Sequence, residues 1–334
     1  MAKQQYRVPP GDLFAYPENG PIDPANADAF AVYKHLRDDD CERHRRYIRR
    51  MWKRYYALGL HDPKFEKSFP DECPSRIWEM HLAFVFHAWG WLLVPSAKRG
   101  SGFDFGVRGF DPSINATMWI EATAPGRGSG ANVTGWTPGP FGVGYANGGE
   151  LQRTQSLRFA QVIQEKRGQY VRALKNGLVT GDDGFVVAIS GSRWDNTADV
   201  GSIDGPPVIV RYLFGLGGST YNVELGGERR VTQGPFRQAL TIQKRTPVGV
   251  DDATQAGLFA TAACPDISAV IFCPNHIKNR PRRVGGDLSI IHNPFARVPF
   301  PRAGLRRGEE WWIEETEHGA DLLRTIVEHG EESS

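Results

Sequence analysis

The run from Pro74 to Pro125 constrains the chain most, because three acidic residues stand in it where a hydrophobic core is expected. Ile77, Trp78, Met80, Leu82, Ala83, Phe84, Val85, Phe86, Ala88 and Trp89 predict a helix with almost no polar face, buried nearly all round. Glu79 goes in with it. A buried carboxylate is costly unless a cation or hydrogen-bond donors compensate it, so Glu79 requires a partner. Trp91 to Pro95 then predicts a strand. Phe103-Asp104-Phe105 and Met118 to Thr123 flank a turn at Asp111-Pro112-Ser113-Ile114, with Asp and Pro where a type I turn favours them. A hairpin symmetric about Pro112 and Ser113 sets Asp104 opposite Glu121 on one face of the sheet. Opposed carboxylates repel unless something positive lies between them, and a divalent metal with oxygen ligands is the economical answer.

The parts before and after this hairpin extend the pattern. A long helix over 151–176 follows a glycine- and proline-rich stretch, and Arg158, Val162 and Lys166 share one of its faces at i, i+4 and i+8. Phe185 to Ser190, rich in β-branched residues, predicts a central strand. Upstream, residues 1–25 read as an irregular arm over the surface. Two helices follow it, the second with an apolar stripe of Ile48, Met51, Trp52, Tyr55 and Tyr56 against a load of arginines and lysines. That basic face is either solvated or a phosphate contact. Downstream, 191–266 reads as an insertion or lid, Ile267 to Cys273 and Leu288 to Ile291 as buried strands, and Trp311 to Ile313 as a last strand before a short helix from Gly319.

Glu79 on a helix, Asp104 entering the second strand of a meander and Glu121-Ala122-Thr123 on the third resemble the PD-(D/E)XK, or restriction-endonuclease-like, nuclease superfamily. The resemblance covers about Pro74 to Ser190. It implies an α/β fold with a mixed sheet and an αβββαβ core at 71–190. Residues 1–70 would add an N-terminal arm and helical extension, and 191–334 an insertion and C-terminal strands completing the same domain. It further implies Mg²⁺ or Mn²⁺ bound by Asp104, Glu121 and the Ala122 carbonyl, with Glu79 holding a water or second ion. Thr123 stands where the family usually has lysine; some members take that lysine from the following helix, which nominates Lys166. The implied activity is hydrolysis of phosphodiester bonds in nucleic acid, with DNA preferred. The alternative is an inactive nuclease-fold protein that binds nucleic acid or serves in assembly. Lys98, Arg99, Arg158, Arg282 and Arg283 are candidate phosphate contacts. Glu79 and Glu121 as the acid and base of a glycoside hydrolase is a third option, disfavoured by the short strand order.

Other chemistry finds little footing. The glycine clusters of 126–150 match neither a Walker motif nor a dinucleotide fingerprint. His81 and His87, six apart on the helix, read as core or rim histidines. Four scattered cysteines argue against a zinc ribbon or disulfides. The longest apolar run is broken by Glu79, His81, His87 and Gly90, so no membrane span is expected. With no apolar leader at Met1, a cytoplasmic protein is expected. A net charge of +2 neither demands nor excludes nucleic acid, and a homodimer or protein partner is left open.

Overall fold

The computed structural model describes residues 11–15, 26–96, 102–109, 116–126, 148–194, 206–224, 230–244, 252–274, 284–302, 304–317 and 319–328. Helix α1 (Ala27–Leu36) leads through a 3₁₀ turn (Asp39–Cys41) into α2 (Glu42–Ala57), followed by the single turn α3 (Phe65–Ser68) and by α4 (Cys73–Ala88). Proline 74 sits in the first turn of α4, where its missing N–H costs nothing. Gly90 ends the helix at φ 84°, and Trp91 N donates back to Phe86 O at 3.0 Å. Only glycine takes that left-handed turn without strain.

Strands β1 (Leu92–Pro95), β2 (Phe105–Arg108) and β3 (Met118–Thr123) follow, then the 28-residue helix α5 (Gly148–Lys175) and β4 (Gly184–Ser190). Helix α6 (Val208–Phe214) and two small hairpins, β5 (Leu216–Glu224) with β6 (Arg230–Gln238) and β7 (Thr241–Lys244) with β8 (Asp252–Gln255), come next. The chain closes with β9 (Ala269–Cys273), β10 (Ser289–His292), β11 (Arg307–Thr316) and β12 (Gly319–Glu328). Eight strands form one mixed sheet in the order β1-β2-β3-β4-β9-β10-β11-β12. β1, β2 and β3 are antiparallel neighbours, whereas β3, β4 and β9 run parallel. The protein is thus a mixed α/β fold.

Strand periodicity separates two cores. On one face Phe105, Val107, Met118, Ile120, Val186 and Ala188 pack against α1, α2 and α4. On the other, Trp119, Phe185, Val187 and Ile189 pack against α5 and α6. Trp78 fastens α4 to the sheet by donating from Nε1 to the Ala188 carbonyl at 3.0 Å. β2 and β3 pair Phe105 with Ile120 and Val107 with Met118, the register that symmetry about Pro112 and Ser113 requires. The turn itself, at 110–115, lies outside the described residues, as does most of the glycine-rich stretch.

Two expectations are corrected. The C-terminal helix is a strand: β12 pairs with β11 over ten residues, and Arg324 donates to Glu309 at 2.5 Å across the pair. In the N-terminal arm, Leu13 and Phe14 do not lie over the surface; they are buried, Phe14 against Tyr33 and Phe69. Among the described residues no helix is long and apolar enough to cross a membrane.

Candidate active site

Helix α4 carries Glu79 into the interior, and both of its oxygens are engaged. The Tyr55 hydroxyl, from α2, donates to Oε1, and Arg76, one helical turn earlier, donates to Oε2 at 3.2 Å. Residues three apart on a helix are surface neighbours, so the Arg76–Glu79 pair follows from spacing. Arg76 is itself held by Glu72 at 2.8 Å, Asp62 at 3.0 Å and the Ser68 hydroxyl at 3.0 Å, with its guanidinium 4.7 Å over the Phe65 ring. Burial pushes the Glu79 carboxyl well above the usual range and the charge of Asp104 adds to this, while Arg76 and Tyr55 pull it back.

Asp104 enters from the other side. Residues 103–104 bend just before β2, and Asp104 N donates to Ile120 O at 3.2 Å. Its Oδ2 accepts the Ala122 N–H at 2.6 Å, so the carboxylate caps the edge of β3 just ahead of the first residue of β2. Burial raises its pKa to about 6, against the lowering effect of the Ala122 N–H, Lys166 and Arg76. One residue before Ala122, Glu121 leaves β3 on the Trp119 face, toward α5.

There it meets Lys166, whose Nζ donates to Glu121 Oε1 at 2.7 Å. The side chains are 7% and 15% exposed, so this is an interior pair with little solvent screening. Glu121 Oε2 is buried with no hydrogen-bond partner among the described residues. Burial and the neighbouring Asp104 push Glu121 up to about 8, with Lys166 opposing. Burial alone would pull the Lys166 ammonium down, but Glu121, Asp104 and Glu165 raise it on balance. These directions have one cause: Glu79, Asp104 and Glu121 share a dry region in which, among the described residues, the cations Arg76 and Lys166 and the hydrogen bonds of Tyr55 and Ala122 N–H offset them in part, so a proton or a further cation is held readily.

Sequence-predicted residues divide into three groups. Asp104 meets Ala122 and Lys166 meets Glu121 by hydrogen bonds, and Glu79 and Glu121 each feel the charge of Asp104, Glu79 without a hydrogen bond to any of the other four. Arg158, on α5, is bound elsewhere: Nε donates to Gly126 O at 3.0 Å and Nη1 to Gln161 Oε1 at 2.5 Å. With Arg193 on Ala124 O and Trp194 on Gly126 O, it grips the exit of β3. Lys98, Arg99, Arg282 and Arg283 lie outside the described residues. Tyr55 reads from sequence only as part of an apolar stripe and Arg76 not at all, so neither is a candidate site residue there; the i, i+3 spacing of Arg76 and Glu79 is the available signal for the second. His81 is a core histidine stacked on Trp78 with Tyr47 at 3.4 Å.

As placed, no group of three or more His, Cys, Asp or Glu side chains among the described residues could hold a metal ion. No family model, curated protein or solved structure matches the chain.

Proposed function

We propose that this protein is a metal-dependent nuclease hydrolysing phosphodiester bonds of nucleic acid, with DNA the preferred substrate, built on a restriction-endonuclease-like core. The observation that carries the reading is the contact of Lys166 with Glu121, which brings an ammonium from α5 to the acidic strand that has Thr123 in the position of the family's lysine. The order α4, β1, β2, β3, α5, β4 supports the fold part of the reading. Four buried free thiols support a reducing compartment, the cytoplasm.

The donor set suits Mg²⁺ or Mn²⁺ in part. Asp104, Glu121 and the Ala122 carbonyl offer hard oxygens, and the unsatisfied Glu121 Oε2 is a buried acceptor in need of a cation. Glu79 would be a weaker direct ligand than these, because each of its oxygens already accepts one hydrogen bond, from Tyr55 or from Arg76. Bound at Asp104 and Glu121, such an ion would supply Lewis-acid polarisation of the phosphate and acidify a water. Lys166 uses one N–H on Glu121 and has two further donors for an attacking water or a phosphate oxygen, a preorganised electrostatic role. Asp104 is fixed by the Ala122 N–H, so its position does not depend on substrate. Glu79, through Arg76, sets the local charge rather than touching the phosphate.

Thr123 favours a second reading, an inactive nuclease-fold protein that binds nucleic acid or serves in assembly. Nicking of supercoiled plasmid by purified protein with and without Mg²⁺ separates the two. Metal-dependent nicking that disappears in Asp104→Ala and Glu121→Ala supports the enzyme, and no turnover under any divalent ion supports the binding protein.

A further inference from the structure

Helix α2 carries a cationic face that the proposed site does not use. Its sixteen residues hold seven arginines and lysines against the single acid Glu42, in a chain whose formal net charge is only +2. They fall into two sets. Arg45 and Arg49 are structural: Arg45 donates to Glu42 at 2.9 Å and to the Leu36 and Asp38 carbonyls, and Arg49 pairs with Asp12 at 2.7 Å. Arg43, Arg46, Arg50, Lys53 and Arg54 are exposed. At 100° per residue these five occupy an arc of about 100°, opposite the buried stripe of Ile48, Met51, Trp52 and Tyr55.

A solvated helix face alternates charge sign, each acid offsetting a base three or four residues away. This one repeats a single sign at those spacings: 43 with 46, 46 with 50, and 50 with both 53 and 54. Arg46 has Glu42 at 3.7 Å, and Arg50 lies 5.4 Å over the Phe84 ring. Arg43, Lys53 and Arg54 have no ion pair among the described residues. Asp39 and Asp40 lie before the helix, at its N-terminal end. Such a row repels itself and is unfavourable for the isolated fold; a polyanion offsets that cost. From Arg43 to Arg54 the row spans about 16 Å at 1.5 Å per residue. Over that length duplex DNA offers about ten phosphates, one per 1.7 Å.

We propose that the outer face of α2 is a docking surface for the phosphate backbone of a nucleic-acid duplex, read without regard to sequence. The identity of the polyanion rests on the nuclease reading. Tyr55, on the inner face, holds α2 to Glu79, so the docked backbone and the carboxylate cluster share one rigid frame.

The test is fluorescence anisotropy of a labelled 30-base-pair duplex with full-length protein in EDTA, across a range of NaCl concentrations. Wild type is compared with the triple variant Arg43→Gln, Lys53→Gln, Arg54→Gln and with a control of equal charge loss, Lys64→Gln, Arg172→Gln, Lys175→Gln. Removing three phosphate contacts should weaken binding at least tenfold at low salt and reduce the slope of log K against log salt by about 2.7. The control should retain the wild-type slope. Equal slopes in all three proteins would overturn the proposal. So would binding of wild type to phosphatidylserine vesicles and not to duplex, which assigns the face to a membrane. Because EDTA removes the cleavage reaction from the assay, loss of nicking with retained stripe-dependent binding counts against the nuclease reading alone. Metal-dependent nicking with stripe-independent binding counts against this surface alone.

Discussion

Lys166 Nζ donates to Glu121 Oε1 at 2.7 Å, joining helix α5 to strand β3 across 45 residues of sequence. Removing one partner of a buried pair leaves the other charge uncompensated, a loss of about 3–5 kcal/mol when that charge persists. Here Glu121 can take up a proton, so Lys166→Met should cost less, about 2 kcal/mol at pH 7 in urea unfolding. Nicking should fall by at least about a hundredfold, the scale for losing a preorganised stabilising group. The double variant Lys166→Met, Glu121→Gln should regain most of the stability and none of the activity. Recovery of activity would remove Lys166 from the mechanism.

A pH dependence follows from the raised carboxyls. Glu121, about 8 when folded against an ordinary 4.5, and Asp104, about 6 against 3.8, hold protons in the folded chain that the unfolded chain has released. Their contribution to stability is therefore complete below the unfolded values and is lost as pH rises through the folded ones. Without divalent ions, stability should fall between pH 5 and 8, by at most about 1.4 kcal/mol per pH unit for each group. Glu121→Gln should flatten the upper part of that slope, and Mg²⁺ should restore stability most at the alkaline end. Urea titrations at three pH values with and without Mg²⁺ measure this; a wild-type slope unchanged by Glu121→Gln would contradict it.

Arg76 holds Glu79 and is in turn held by Glu72, Asp62 and Ser68. Arg76→Met should destabilise the fold by about 2 kcal/mol, below the range for a charge that persists, because Glu79 like Glu121 can take up a proton. Adding Glu79→Gln should return more than half of that. A double variant no more stable than the single would show that Arg76 acts through its packing on Phe65 instead.

The site was legible in sequence where local rules governed it. Symmetry about Pro112 and Ser113 together with strict alternation was enough to read the β2–β3 register, and the charge of Asp104 is felt at Glu121 accordingly. The solid run of apolar residues around Glu79 announced both a buried helix and the need for a partner. The partners themselves were not legible in the same way: Tyr55 arrives from another helix, and helix-to-helix packing leaves no spacing rule to read. Tertiary pairing likewise decided β12. Leu322, Leu323, Ile326 and Val327 fit a helical stripe, yet Ile326 is 58% exposed and the segment takes its hydrogen bonds from β11. Burial of a continuous helix face was therefore not available to it, and the β-branched run Thr325-Ile326-Val327 fits the ladder. His292 shows the same limit, since its carboxylate, Glu310 at 3.2 Å, comes from the neighbouring parallel strand.

Calorimetric titration of Mg²⁺ and Mn²⁺ into wild type and Asp104→Ala, with plasmid nicking followed on the same samples, tests the central claim most directly. The account predicts binding by wild type, loss of binding in the variant, and nicking that tracks occupancy. Equal heats from both proteins, or nicking that survives Asp104→Ala, would contradict it and leave the carboxylates a structural network closed by Arg76 and Lys166.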